Sequence, residues 1–227
     1  MSVPGSSSWE KSLSDARKAD KGYFLYDFAK VTGALPAWLF WRPKVHRPFG
    51  KEALPQGPVV VISNHNAFTN PVVLLLTVRK RHLNFMATTE LGKVAAGRFV
   101  FRHFHLIPVD KDNFSMDTYY SLMDSLKKGN GAVIFPEGFV DTSEDTVHPF
   151  KDGAMLMALK AGVPVLPVYI AKRTSAFRRQ HVIIGKLVHP SGAGGQALTM
   201  AGIREYTGLL FRKELELEEY YKQEVRK

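Results

Sequence analysis

Three short stretches place reactive side chains just beyond apolar runs. In "SNHNAFTNP" (63–71), Asn64 and His65 follow "GPVVVIS", and Asn70 stands five residues past the histidine. Asp110, Lys111 and Asp112 follow "HLIPV"; Pro136, Glu137 and Gly138 follow "AVIF". A neutral imidazole titrates in the range where it can take a proton from a hydroxyl. In an α/β sheet, ligands gather at the carboxyl ends of strands, which is where all three constellations would fall. Each also has a plain structural reading: a strand-end histidine, a solvated Asp-Lys-Asp turn, a Pro-Glu-Gly turn. Their convergence is what points to a site.

The elements needed to position them can be read from periodicity. Short β-branched or apolar runs predict strands at 59–63, 83–88, 105–110, 132–136, 163–171 and 181–190. Helical spacing predicts helices at 70–81, with Pro71 in the first turn, at 90–104, around Met116–Lys128 before Gly129, at 152–162, and one or two in the C-terminal stretch after Gly194. The alternation argues for an α/β fold: a central, mostly parallel or mixed sheet flanked by helices. The acidic cluster "ELELEE" (214–219) reads as a solvated helix face.

The chain has 227 residues, 45% of them hydrophobic, enough for one packed domain. It has no cysteine, which excludes disulfides, thiolate metal sites and a cysteine nucleophile. His65, His103 and His105 form no recognisable metal-ligand set. The formal net charge of +10 suits anionic lipid, phosphorylated small molecules, an acidic carrier protein or nucleic acid, but no RNA- or DNA-binding motif is present, so nucleic acid is not an expected partner.

Residues 1–20 carry no signal-peptide core and read as a flexible segment, so a cytosolic-side protein is expected. Residues 21–45 read as a helical hairpin broken near Gly33–Pro36, with 46–227 as the main domain. In "GYFLYDFAKVTGALPAWLFW" (22–41), Asp27, Lys30 and Pro36 argue against a spanning helix. Trp38, Phe40 and Trp41 followed by Arg42, Lys44 and Arg47 suit a membrane interface with anionic headgroups. The expected location is therefore peripheral or monotopic on the cytoplasmic face of a membrane; a hairpin packed on its own domain is the alternative.

Four blocks in order resemble the glycerolipid acyltransferases typified by 1-acylglycerol-3-phosphate acyltransferase. "SNHNAFTNP" resembles the family's N-H-x-x-x-x-D box, and "GRFVFRHFHLIPVDKDN" (97–113) its second block. "VIFPEG" with "FKDGA" (150–154) resembles its F-P-E-G box and the F-K-x-G after it, and "AGVPVLPVYI" (161–170) its proline-containing strand. The resemblance implies acyl transfer from a thioester, acyl-CoA or acyl carrier protein, to the hydroxyl of a lysophospholipid, without a metal or other cofactor. It implies His65 as general base, position 70 as its orienting partner, and Lys111, Glu137, Gly138 and Lys151 as acceptor-binding residues.

This chain departs from the pattern in three places. Asn70 stands where the family has Asp, which removes the charge that would stabilise an imidazolium. Phe139 and Val140 stand where Thr and Arg are common, and Lys111 where Arg is usual, which loses a bidentate fork. These departures leave two alternatives: a lipid-binding relative without turnover, or an acyltransferase with a different lipid acceptor.

Overall fold

A computed structural model describes residues 23–50, 57–78, 82–88, 91, 104–109, 116–143, 145–175, 177–190 and 199–226. In chain order the elements are α1 (Tyr23–Trp41), β1 (Lys44–His46), β2 (Val59–Ser63), α2 (Asn70–Thr77), β3 (Leu83–Thr88), β4 (Ile107–Val109), α3 (Met116–Lys127), β5 (Gly131–Ile134), α4 (Asp152–Ala161), β6 (Val165–Ile170), β7 (His181–Ile184) and α5 (Met200–Tyr220), whose last turn widens into a π-helix at Tyr221–Val225. The predicted helix at 90–104 and the second of the three constellations lie outside the described residues, apart from Leu91 and Phe104.

Seven strands form one sheet in the order β1-β7-β6-β2-β5-β3-β4. Every pairing is parallel except β6–β7, which is antiparallel, so the sheet is mostly parallel with one reversal, as expected. The central strand is β2, whose five residues are all buried. Successive side chains of a strand alternate between faces. Val60 and Ile62 therefore enter a core built with α3, α4 and α5, through Leu122, Met155 and Leu210. Val59 and Val61 enter a second core with Val73 and Leu74 of α2. A continuous apolar run is what burial on both faces demands. Helix α4 ends on Gly162 at φ 64°, the left-handed cap that glycine adopts without strain.

Several boundaries differ from the sequence reading. The predicted strand over 181–190 pairs only to Ile184 and returns as one bridge, Val188 to Val165. The edge strand β1 was not expected; it is too short for periodicity to reveal and exists through its pairing with β7. The break expected at Gly33–Pro36 is absent, and residues 23–41 form a single helix with Pro36 inside it. An internal proline costs a helix about 3 kcal/mol. Here both arms are fixed to the same body. The Tyr26 hydroxyl bonds the backbone N–H and C=O of Leu83, and Trp41 packs on the second core while its carbonyl accepts from Gln180. Helix α1 thus runs from the amino end of β3 to the carboxyl end of β6. Finally, "ELELEE" is not a solvated face. Glu214 and Glu218 are 0% and 4% exposed, because they share the helix stripe of Leu210, Leu217 and Tyr221 that faces the sheet.

Candidate active site

Strands β2 and β5 are parallel neighbours with Ile62 opposite Ile134. Three residues further on, His65 stands opposite Glu137, so the register alone joins the two motifs. The His65 backbone N–H donates to Glu137 Oε2 at 3.3 Å, and the His148 backbone N–H donates to Oε1 at 3.1 Å. Glu137 is 1% exposed and spends its carboxylate on these two loop amides. Burial pushes its pKa up, and the two amides and the nearby His148 pull the other way.

The loop after β2 is clamped to β6 by short polar side chains. Asn64 Oδ1 accepts from the Ile170 N–H at 2.8 Å, while its Nδ2 donates to the Ile170 carbonyl at 3.0 Å. Asn66 Nδ2 donates to the same carbonyl at 2.7 Å. Asn66 was not singled out from the sequence; the available signal was a run of side chains able to bond the backbone just past a buried strand. Asn70 completes the network. Its Nδ2 donates to the Asn64 carbonyl and to Asn66 Oδ1, both at 3.2 Å.

The His65 ring lies flat on Phe135, with centroids 3.9 Å apart and planes at 15°. Its Nδ1 is buried with no hydrogen-bond partner among the described residues. Burial lowers its pKa to about 4, partly offset by the backbone of Ala67. The imidazole is therefore neutral at physiological pH, the form a general base requires. Asn70 sits close in sequence but points its amide N–H at the loop, so no bond between it and the ring is present.

Gly138 has φ 77°, and a Cβ there would lie 2.8 Å from Lys151 Cε and 2.9 Å from Nζ. The left-handed backbone calls for glycine, while the end of the lysine that lies across it is a flexible chain that can swing aside. Lys151, whose N–H donates to the Pro136 carbonyl at 2.9 Å, thus brings a cation to the Glu137–Gly138 turn, with no ion-pair partner among the described residues. Of the residues implied by the resemblance, His65, Asn70, Glu137, Gly138 and Lys151 come together; Lys111 lies outside the described residues.

A neutral imidazole and a lysine ammonium thus stand at neighbouring strand ends of a mostly parallel α/β sheet. Residues 45–171, more than half of the chain, match the family model described as Acyltransferase, and the chain belongs to that family. It is similar to "1-acyl-sn-glycerol-3-phosphate acyltransferase BAT2, chloroplastic" of Brassica napus, 27% identical over 149 residues, 64% of this chain and 42% of the relative. It is similar to the probable 1-acyl-sn-glycerol-3-phosphate acyltransferase of Mycoplasma genitalium, 28% identical over 152 residues, 63% of this chain and 55% of the relative. The Bacillus subtilis 1-acyl-sn-glycerol-3-phosphate acyltransferase is 29% identical over 148 residues, 62% of this chain and 72% of that protein. The match thus spans about half the length of the first two relatives. The fold resembles the crystal structure of the 1-acyl-sn-glycerophosphate acyltransferase PlsC from Thermotoga maritima, with TM-score 0.62 and 20% identity over 97% of this chain and 86% of that one.

Proposed function

We propose that this protein moves a fatty acyl group from a thioester, acyl-CoA or acyl carrier protein, to the free hydroxyl of a lysophospholipid, with 1-acylglycerol-3-phosphate as acceptor and phosphatidate as product. The observation that carries the reading is the neutral, stacked His65 held at the end of the central strand by the Glu137 carboxylate. His65 takes the acceptor's hydroxyl proton as that oxygen attacks the thioester carbonyl. The tetrahedral intermediate expels the thiolate, and the imidazolium returns the proton to it. No metal or redox group enters the balance. General-base catalysis is worth about 10²–10⁴-fold, so His65→Ala should lose that much turnover. Purified protein given either donor and lysophosphatidate in mixed micelles should form phosphatidate; no transfer from either donor would overturn the reading.

The same reading places the protein on a membrane surface, peripheral or monotopic on the cytoplasmic face. No described helix is long and apolar enough to cross a membrane. Phe24, Phe28, Val31, Leu35 and Leu39 recur at helical spacing along α1, and all are more than half exposed. At the end of that stripe Arg173 lies over the Phe40 ring at 4.7 Å and donates to the Phe40 carbonyl at 2.7 Å. Arg42 donates to the carbonyl of the exposed Phe177. Aromatics beside cations match the headgroup layer of an anionic bilayer. Because α1 ends at the carboxyl side of the sheet, such a surface would bring lipid to the side where His65 stands.

A further inference from the structure

None of the four motif blocks reaches helix α5, yet that helix grips the loop on which His65 depends. The loop runs from the Glu137–Gly138 turn to Lys151. Near its start, the Asp141 N–H donates to the His65 carbonyl at 2.9 Å. Near its end, the His148 N–H donates to Glu137, whose other oxygen accepts the His65 N–H. Both backbone groups of His65 are thus held from this side. The loop has anchors of its own. Asp145 Oδ1 accepts from the Tyr169 hydroxyl at 2.8 Å and from the Lys172 N–H at 2.7 Å, which ties the middle of the loop to the carboxyl end of β6. The Val147 N–H, next to that of His148, donates to Glu218 Oε2 of α5 at 3.3 Å. The Val147 side chain packs with Leu217 and Tyr221. Two consecutive loop amides are therefore taken by two buried carboxyl groups, one from the end of β5 and one from α5.

Packing alone does not ask for a carboxyl group at 218. The position lies on the inward stripe of α5 and is 4% exposed, and its neighbours there, Leu217 and Tyr221, are apolar or aromatic. A buried carboxyl group is costly unless hydrogen bonds satisfy it. Here one oxygen accepts the Val147 N–H and the other accepts from Lys222 Nζ at 2.5 Å. We propose that Glu218 is a positioning residue for the acyl-transfer site: by fixing the Val147–His148 edge of the loop, it keeps Glu137 bonded across to His65 and keeps the His65 ring buried against Phe135. Its effect on turnover rests on the acyl-transfer reading above; its effect on the ring does not. Burial is the cause that holds the His65 ring at a pKa of about 4. A loosened loop admits water to the ring, and the value then climbs toward the ordinary imidazole range. The titratable groups packed around His65 are Glu137 on its backbone N–H, Asp141 and His148 on the loop, Lys151 across Gly138, and Glu214 of α5 against the Asn64 backbone.

The test compares three variants of the full-length protein. Glu218→Gln keeps an oxygen for the Val147 N–H, Glu218→Leu does not, and Lys222→Met removes only the ion pair. The first readout is kcat and KM for acyl transfer to lysophosphatidate in mixed micelles. The second is the pH titration of the His65 ring by NMR, its signal identified by its loss in His65→Gln. Thermal melts establish that each variant is folded. Glu218→Leu should lower kcat about ten- to hundredfold with KM little changed, the scale of a slightly misplaced catalytic group. It should also raise the His65 midpoint by about one pH unit. Glu218→Gln and Lys222→Met should match the parent in both readouts. In the parent, the Val147 amide should exchange slowly with solvent, a check that needs no variant. A Leu variant that melts lower yet keeps the parent's kcat and His65 titration would reduce Glu218 to a structural contact and overturn the proposal. Equal losses in the Gln and Leu variants, or rapid exchange of the Val147 amide, would overturn it too. A parent without transferase activity, whose His65 titration still moves in the Leu variant and not in the Gln variant, would instead overturn the proposed reaction and leave the positioning role standing.

Discussion

His65 and Asn70 are five residues apart, and the motif pairs them as base and partner, yet the fold gives them separate tasks. The Asn70 amide N–H faces the Asn64 carbonyl and Asn66 Oδ1, two groups that only accept in this arrangement. An aspartate there would set its oxygen against both. Asn70→Asp should therefore lower stability by about 1–3 kcal/mol, the penalty of an unpaired buried polar group, without raising turnover. Chemical denaturation and a rate assay check this, and a large gain in rate with an unchanged midpoint would show that the side chain does turn toward the ring. The His65 pKa of about 4 makes a second prediction. Activity should rise with pH along an acid limb well below the ordinary histidine range and stay flat through neutrality, as read from kcat/KM. Because the folded value is depressed, His65 contributes its stability above the ordinary imidazole range and loses it as pH falls toward 4. His65 and Glu137 were legible from type and position; the Asn70 bonds were not, since a backbone carbonyl carries no sequence signature.

Most strands could be read to within a residue or two, because β2, β3 and β6 are buried, β-branched or apolar runs with no competing period. What could not be read were the features set by packing: the short edge strand β1, the unbroken α1, and the inward stripe of α5. That last stripe bears on stability. Both Glu214 oxygens are buried with no hydrogen-bond partner among the described residues. Burial, with the nearby carboxylates of Glu137 and Glu218, drives its pKa well above the usual carboxylate range, the Asn64 backbone only partly relieving it. Since the folded value is raised, the stability Glu214 contributes is present at acid pH and lost as pH climbs above the ordinary carboxylate value. Glu214→Gln should stabilise the protein more at about pH 8 than at about pH 5, with each 1 kcal/mol gained raising the melting temperature by roughly 2–4 °C for a chain of this size. Equal shifts at both pH values would show that the carboxyl titrates normally. On α1 the corresponding test is of the exposed stripe. Replacing Phe28, Val31, Leu35 and Leu39 together by Gln leaves the buried Tyr26 anchor in place and should abolish sedimentation with anionic liposomes. Unchanged sedimentation would count against α1 as the membrane face.

At the scale of the whole molecule, a register of parallel strands brings an imidazole, a loop-organising carboxylate and a lysine to the carboxyl ends of the central strands. A helix that spans the length of that sheet carries an apolar stripe to the same side. The basic balance of the chain, +10 overall, fits the anionic acceptor and membrane surface proposed above. Family membership accounts for the order of the motifs, and the fold accounts for why they meet. We propose His65 as the group that drives acyl transfer to a lysophospholipid hydroxyl. The most direct measurement is the rate of phosphatidate formation from lysophosphatidate and acyl-CoA, or acyl carrier protein, by the parent protein and by His65→Ala in the same micelles. The parent should give measurable product and the variant about 10²–10⁴-fold less, with its melting temperature little changed. Equal rates in the two folded proteins, or no product from the parent with either donor, would contradict it.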